Sequence, residues 1–370
     1  MYRKIAEDGR VELLVVFAES GASPRFDSGF GRVIHWQQDI LEGYAHTVVA
    51  APKPQRSQAV IAELAKYAPD VVYIHVYSLD YLRAAMDWAH GKRIPVLMTT
   101  DSELLHPRPW YVNLVKRVAL PWVLRKVSLI LTVGDENERY FAYYGVSRDR
   151  FFRNTFSIDS EYYDRILANR EAVRRSLRAK LGIAEDAVVI LTVGKMIPRK
   201  AHADLIRALA QVFESGPRSA VLLIAGDGVL HAELAALAAP LGDAVRLLGF
   251  IGVDELPEYY IASDVYAHPS DFDPHPLAIS EAIYCGLPIV ASDRIGSVGA
   301  TDDVRVGVNG WVHPVGDVPA LARILAELID DPELRAQAGK ASLPLGQVHS
   351  AQHTAKLFID AALLSISRNR

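Results

Sequence analysis

Two series of short apolar runs, separated by a charged stretch without one, constrain this chain more than any other feature of its sequence. The first series is VELLVVF (11–17), HTVVA (46–50), DVVYIHV (70–76), PVLMTT (95–100) and SLILTV (128–133). The second is AVVILTVG (187–194), SAVLLIAG (219–226), AVRLLGF (244–250), SDVYAHPS (263–270) and LPIVAS (287–292). Helical patterns such as SQAVIAELAKYA (57–68) and SLDYLRAAMDWAH (78–90) lie between them. Strands that are apolar on both faces need helices on both sides, which is the signature of parallel α/β sheets. The chain, at 370 residues, is also too long for one ordinary core. The expectation is therefore an α/β chain of two doubly wound, Rossmann-like domains: an amino-terminal one over 1–160 and a second over 161–345. A final helix within 346–370 returns to the first. The charged stretch SEYYDRILANREAVRRSLRAKLG (160–182) reads as a linker plus the first helix of the second domain. Ligands of such sheets bind at the carboxyl ends of the strands.

The totals exclude several classes. No apolar run approaches the roughly 18 residues of a membrane span, and MYRKIAEDGR does not read as a signal peptide. The single cysteine, Cys285, rules out an internal disulfide framework and suits a cytoplasmic setting; it reads as a small buried residue rather than a nucleophile. A formal net charge of −4 argues against nucleic acid as a partner, although residues 1–155 carry a slight basic excess and the rest an acidic one.

The chemistry concentrates in DFDPHPLAISEAIYCGLPIV (271–290). Pro276 suits the first residue of a helix and Gly286 its end. The N–H groups of Leu277 and Ala278 then form an anion site with the helix dipole behind them. Asp273 stands just outside that terminus. Glu281, five residues in from Pro276, is about 7.5 Å along the axis. A ligand with a central diphosphate and hydroxyls at both ends fits this spacing: ribose on Glu281, a sugar near Asp273. Such a ligand is a nucleotide sugar. In VGKMIPRKAHADLIRA (193–208), Lys195 and Lys200 flank a strand-end loop and suit a diphosphate. Gly226 and Gly228 in AGDG form either a strand-end turn or a cleft-side phosphate cradle.

The segment DPHPLAISEAIYCGLPIVAS resembles the E-P-F-G…E-A…G-x-P-V-V-A-S element of retaining glycosyltransferases of family 4, which have the GT-B fold of two Rossmann-like domains facing across a cleft. VGKMIPRKAHADLIRA, LLIAGDGVL (222–230) and the stretch VRLLGFI…ELPEYYIASDVYAHPS (245–270) resemble three further family segments, so the likeness covers about 185–315. GVSRDRFFRNTFSID (145–159) is similar to the family's exit from the amino-terminal domain. The resemblance implies a metal-independent hexosyltransferase without a cofactor. It would use a UDP- or GDP-sugar donor and a saccharide or lipid-linked acceptor, as in polysaccharide or cell-envelope synthesis. It implies Asp273 and Asp101 as catalytic residues, and Lys195, Lys200, His275, Leu277, Ala278 and Glu281 as donor-binding. A nucleotide-sugar epimerase on the same fold, or a degenerate nucleotide-sugar binder, are the rival readings.

Several positions depart from the family pattern. Lys195 stands where arginine is usual, Asp273 where glutamate is, Pro276 where glycine is common, and His275 in the neighbouring aromatic position. In PVLMTTDSELL, Asp101 falls at the family's histidine; it either takes the catalytic place or caps the next segment with Ser102. His75, at the end of DVVYIHV, either approaches the same cleft or packs. YRKIAEDGR reads as the tail of a helix, which implies that a first strand and its cleft loop are missing before VELLVVF. The loop SPRFDSGFGR (23–32), with Gly29 and Gly31, follows the wrong strand to replace that loop and reads as flexible surface. Finally, 106–129 interleaves Trp110, Tyr111 and Trp122 with Lys116, Arg117, Arg125 and Lys126. Such a helix suits peripheral contact with an anionic inner membrane face, or it packs its apolar stripe and solvates its charges.

Overall fold

The computed structural model describes residues 1–18, 25–27, 29, 32–34 and 41–369. In chain order the elements begin with α1 (Tyr2–Asp8), β1 (Val15–Phe17), β2 (Arg25–Asp27), β3 (Arg32–Ile34), β4 (His46–Val48), α2 (Lys53–Tyr67) and β5 (Val72–Ile74). They continue with α3 (Asp80–Gly91), β6 (Val96–Thr99), α4 (Trp110–Leu124), β7 (Leu129–Thr132), α5 (Asp135–Tyr143) and β8 (Phe151–Arg153). Then follow α6 (Ser160–Leu167), α7 (Arg170–Lys180), β9 (Val188–Val193), α8 (His202–Glu214), β10 (Ala220–Ala225), α9 (His231–Ala238), β11 (Val245–Gly249), α10 (Leu256–Ala262) and β12 (Val265–His268). The chain closes with α11 (Leu277–Tyr284), β13 (Ile289–Ser292), β14 (Gly310–His313), α12 (Val318–Asp330), α13 (Pro332–Gln347) and α14 (Ala351–Asn369).

Two compact units result. One comprises 1–25, 35–157 and 351–370; the other comprises 26–34 and 158–350. In the first unit, β5, β6, β7 and β8 form a parallel sheet in that order, and β1 pairs in parallel with β4. Alternation assigns the faces. Val72, Ile74, Val96, Met98 and Ile130 bury against Met86, Leu120 and Phe141. Leu97, Leu129 and Leu131 point the other way, onto Ile5 of α1 and Ala355, Phe358 and Ile359 of α14. The last helix is thus part of the first unit's core.

The second unit has a six-stranded parallel sheet in the order β11-β10-β9-β12-β13-β14. Along β9, Val189 and Leu191 join one core layer and Val188 and Ile190 the other, the period-2 pattern of a strand covered on both faces. α8 shows why the intervening segments are helical: Leu205, Ile206, Ala208, Leu209 and Val212 recur at helical spacing and are all buried. α6 and α12 start on aspartates, Asp159 and Asp317, whose side chains accept N–H groups of the first turn.

The stretch 160–182 holds the expected helix and a second helix where a linker was expected. It forms α6 and α7, and its charges clamp the sheet: Arg174 and Arg178 lie 2.6 and 2.5 Å from the two oxygens of Asp264, which also accepts the Val189 N–H. These charges look like solvated linker charges in the sequence because their partner is 86 or more residues away.

The strand order reverses between β9 and β12. The loops that leave these adjacent strands therefore emerge side by side at the carboxyl edge, where α/β sheets hold ligands.

Candidate functional site

The loop after β9 runs from Gly194 through a 3-10 turn at Pro198–Lys200 and enters α8. The loop after β12 runs from Pro269 to Pro276 and enters α11. The Asp271 N–H donates to the Arg199 carbonyl, 2.9 Å, and ties the two together. Lys200 Nζ lies 2.5 Å from Asp273 Oδ2, and His268 Nε2, at the end of β12, lies 3.2 Å from the same oxygen. Burial acts to raise the Asp273 pKa, but the His268 hydrogen bond and the charges of His268 and Lys200 outweigh it, so the carboxyl sits well below the usual carboxylate range. His268 is itself held by Ser270 Oγ and the Tyr266 hydroxyl, each 3.1 Å away. The site therefore contains an ionised carboxylate and an ammonium group in one partly covered pocket of charge.

α11 begins at Leu277 with Pro276 as its extended N-cap, not as its first helical residue. Pro276 offers no side-chain cap to this terminus; the Ile279 N–H donates to the Pro276 carbonyl at 3.0 Å, and Leu277, the first helical residue, is 48% exposed. At the far end the helix stops at Cys285 and Gly286 takes φ +74°, with Leu287 N–H donating back to Ala282 O. Cys285 is buried. Glu281 lies on α11 beside two tyrosines of other helices. The Tyr260 hydroxyl donates to its Oε2 at 2.8 Å, and Tyr163 bonds it as well. Burial pushes the Glu281 carboxyl up to about 7, against the lowering effect of those two hydroxyls.

Gly226 and Gly228 follow directly on the end of β10, both with positive φ. A Cβ at Gly226 would lie 1.9 Å from the Gly194 carbonyl oxygen, and one at Gly228 would lie 2.7 Å from that of Met196. Both glycines let the end of β10 close against the loop that carries Lys195 and Lys200.

Lys195 has a partner the sequence does not announce. Its ammonium lies 2.8 and 2.7 Å from the two oxygens of Asp27 in β2, and Gly29 packs against its stem. Within 23–32, expected as a flexible surface loop, Arg25–Asp27 form β2, which pairs with β3, and Phe26 and Asp27 belong to the second unit. Gly31 lies outside the described residues.

The remaining candidates are placed differently. His275 turns inward with no side-chain exposure, so a ligand can meet only its backbone. His75, in the first unit, has both ring nitrogens near tyrosine hydroxyls, Tyr2 at 2.9 Å and Tyr73 at 3.3 Å. Asp101, in the same unit, is exposed on the loop after β6. That loop is braced: Ser102 N–H donates to Thr100 Oγ1, and Asn137 Nδ2 donates to the Thr100 and Ser102 carbonyls. Among the described residues, His275, Asp302 and Asp303 could hold a metal ion, with ligand atoms within 4.8 Å of one another. The bonds of Asp303 to Ser280 and His349, and of His275 to Ser297, already satisfy that group.

Asp27, His268, Tyr260 and Tyr163 escaped the sequence reading. Only His268 left a trace there, as a polar residue ending an otherwise apolar strand.

Comparison with known proteins places this geometry. Residues 173–343 match the family model for glycosyl transferases group 1. The chain is 31% identical over 175 residues to a GDP-mannose-dependent monoacylated alpha-(1-6)-phosphatidylinositol monomannoside mannosyltransferase of Corynebacterium glutamicum, covering 45% of each protein. It is 30% identical over 260 residues to the alpha-D-kanosaminyltransferase of Streptomyces kanamyceticus, 68% of this chain and 65% of that one. The chain thus spans about two thirds or less of these curated relatives. Among solved structures, Anabaena Alr3699/HepE in complex with UDP superposes with a TM-score of 0.74 at 22% identity, over 98% of this chain and 94% of that one. WaaG, a glycosyltransferase involved in lipopolysaccharide biosynthesis, superposes at 0.61 and 16% identity, over 97% and 93%. The fold they share with this chain is the GT-B fold.

Proposed function

We propose that this chain, whose residues 173–343 match the glycosyl transferases group 1 family, moves a hexosyl unit from a UDP- or GDP-sugar to a saccharide or lipid-linked acceptor, with retention of configuration. The observation that carries the proposal is the meeting of Lys200 and Asp273 beside the uncapped terminus of α11. A diphosphate fits there as the counter-anion of Lys200 and as the acceptor of the first-turn N–H groups of Leu277 and Ala278. These groups, with Lys195 once it exchanges Asp27 for phosphate, stabilise the charge that builds on the leaving diphosphate, a task a divalent ion performs elsewhere. Asp273 meets the transferred sugar and Glu281 the ribose hydroxyls. Asp101 serves on the acceptor side. The departing phosphate oxygen takes the acceptor proton, so no enzymic nucleophile is required. The relatives' names support this reading: one specifies GDP-mannose, and one solved structure contains UDP.

The decisive experiment incubates the protein with UDP- and GDP-sugars with and without saccharide or polyprenyl acceptors and measures free nucleoside diphosphate. Acceptor-dependent release supports transfer. Conversion of the sugar without release supports the epimerase, and binding without turnover supports the degenerate binder.

Glu281 gives this reading a pH signature. Its folded pKa, about 7, stands above the ordinary 4.5 of a free glutamate, so folding favours the neutral form. Its contribution to stability is complete below the unfolded value and is lost as the pH rises through about 7. Ribose hydroxyls need the ionised form as acceptor. Nucleotide affinity is therefore expected to rise about tenfold from pH 6 to pH 8, following the ionised fraction. Glu281→Gln should remove this component and leave only the titration of the phosphate, which calorimetric titrations at the two pH values would show.

α4 supports a membrane-facing acceptor. Leu120 and Leu124 pack into the core, but Trp110, Tyr111, Leu114, Val115, Val118 and Trp122 are exposed. The helix thus packs one face and leaves a second apolar face uncovered, where the simplest reading had only solvated charges. Arg117 and Arg125 lie over Tyr143 and Trp122 at 5.8 and 4.8 Å, within reach of anionic headgroups. No helix among the described residues is long and apolar enough to cross a membrane. Co-sedimentation with vesicles containing anionic lipid is expected for the native chain. It should fall several-fold for a Trp110→Ser, Trp122→Ser double variant; equal sedimentation of both would exclude α4 as the contact.

A further inference from the structure

The buried side of the donor loop carries a second network that the chemistry above does not use. His349 Nε2 lies 2.7 Å from Asp303 Oδ1, and His275 Nε2 lies 3.6 Å from Asp303 Oδ2. Ser280 of α11 donates to the same Oδ2 at 3.2 Å, and Ser297 Oγ lies 3.0 Å from His275 Nδ1. Both histidine side chains are fully buried and Asp303 is 7% exposed. A buried carboxylate between two imidazoles is a poor way to gain stability, because apolar residues of the same volume serve as well or better. What it does confer is direction. In the neutral tautomer with the N–H on Nε2 facing Asp303, His275 Nδ1 is an acceptor and the Ser297 hydroxyl donates to it. Ser297, His275, Asp303, Ser280 and His349 then fit together in one donor–acceptor sense.

The segments joined in this way are informative. His275 belongs to the loop between Asp273 and α11, and Ser280 to the first turns of α11. The loop is also pinned from the other side, where Gly296 N–H donates to Asp273 O at 2.9 Å and a Cβ on Gly296 would lie 1.9 Å from Pro274 O. His349 belongs to the stretch in which the chain leaves the second unit, and its carbonyl accepts the N–H of Ile158, where the chain enters it. The network therefore runs from the phosphate side of α11 to the paired entry and exit of the unit.

We infer that Asp303 and His349 are positioning residues that hold His275 inward and so fix the 273–276 backbone and the α11 terminus in their phosphate-binding pose. This rests on the reading of that terminus as the diphosphate site. The His349 contact is the short one and serves as the anchor.

The test uses the full chain with UDP, GDP and their free nucleosides, titrated calorimetrically beside thermal unfolding. His349→Phe fills the space but removes the donor; His349→Gln keeps an N–H near the position of Nε2. The diphosphate Kd of the better-bound nucleotide is expected to rise about tenfold in His349→Phe and to return to within about threefold of the native value in His349→Gln, with nucleoside affinity unchanged. If His349→Phe does not fold, Asp303→Asn serves in its place, with a rise of about fivefold or more expected. A native chain that binds neither nucleotide overturns the underlying reading and the inference with it. A native chain that binds while every folded variant matches it, or in which the Phe and Gln variants lose affinity equally, overturns the inference alone.

Discussion

Lys200→Ala is expected to weaken nucleoside diphosphate binding by about 1.5–3 kcal/mol, roughly 10- to 150-fold, while leaving the free nucleoside almost untouched. The lysine is 14% exposed and its ammonium forms the 2.5 Å pair with Asp273. Its removal takes away the counter-charge of the phosphates and also strands the carboxylate with His268 alone. Breaking such a pair costs up to about 3 kcal/mol of folding stability. The acid side of the stability profile should move too. Asp273 is held below the usual carboxylate range, so its stabilising contribution is present above the unfolded pKa and lost as the pH falls through the folded one. Without Lys200 the folded value rises toward normal, and acid unfolding should set in at a higher pH. Titrations with UDP, GDP and their nucleosides, beside acid-unfolding curves, check both parts. Equal losses for nucleotide and nucleoside would remove Lys200 from the phosphate site.

Gly226→Ala should damage the second unit outright. Its φ of +151° is one that side chains rarely adopt, and the added methyl group would meet the Gly194 carbonyl oxygen at 1.9 Å. Neither backbone can yield easily. Gly194 N–H donates to Ala225 O, Gly226 N–H donates to Gly249 O at 2.7 Å, and β9 and β10 pair along their full lengths. A loss of about 3 kcal/mol or more in urea unfolding is expected, together with loss of nucleotide binding as the Lys195–Lys200 loop is pushed away. Gly249→Ala is the control. Its φ is +70°, but nothing lies within 4 Å of the added carbon, so only the backbone cost of about 1–2 kcal/mol applies.

The parts legible in the sequence were those written in contiguous residues. The ten apolar runs all contain strands, although β1, β4 and β5 keep only three residues each of VELLVVF, HTVVA and DVVYIHV. The turn from Asp273 into α11 and its stop at Gly286 are likewise local chemistry. What stayed hidden depends on partners distant in the chain. Lys195 meets Asp27 across 168 residues, and Asp303 meets His349 across 46. No local spacing encodes such pairs. The resemblance implied His275 as a donor-binding residue, and the structure buries its side chain. Its inward rotation is set by Asp303 and Ser297, neither adjacent in sequence. Glu281 shows the converse: its position on α11 was legible, but the tyrosines that cover it come from α6 and α10.

The return of α14 to the first unit has a consequence for biosynthesis. A ribosome adding about 5–20 residues per second needs on the order of 10–40 s to travel from the exit of the first unit to the end of α14. Throughout that interval Leu97, Leu129, Leu131 and Ile5 lack the helix whose Phe358 and Ile359 complete their core. The second unit, made of 26–34 and 158–350, has all its residues synthesised before α14 and can finish while the first still waits. Nascent chains stalled before residue 351 should therefore bind a chaperone or a hydrophobic dye through one face of the first sheet, and release it once α14 has emerged.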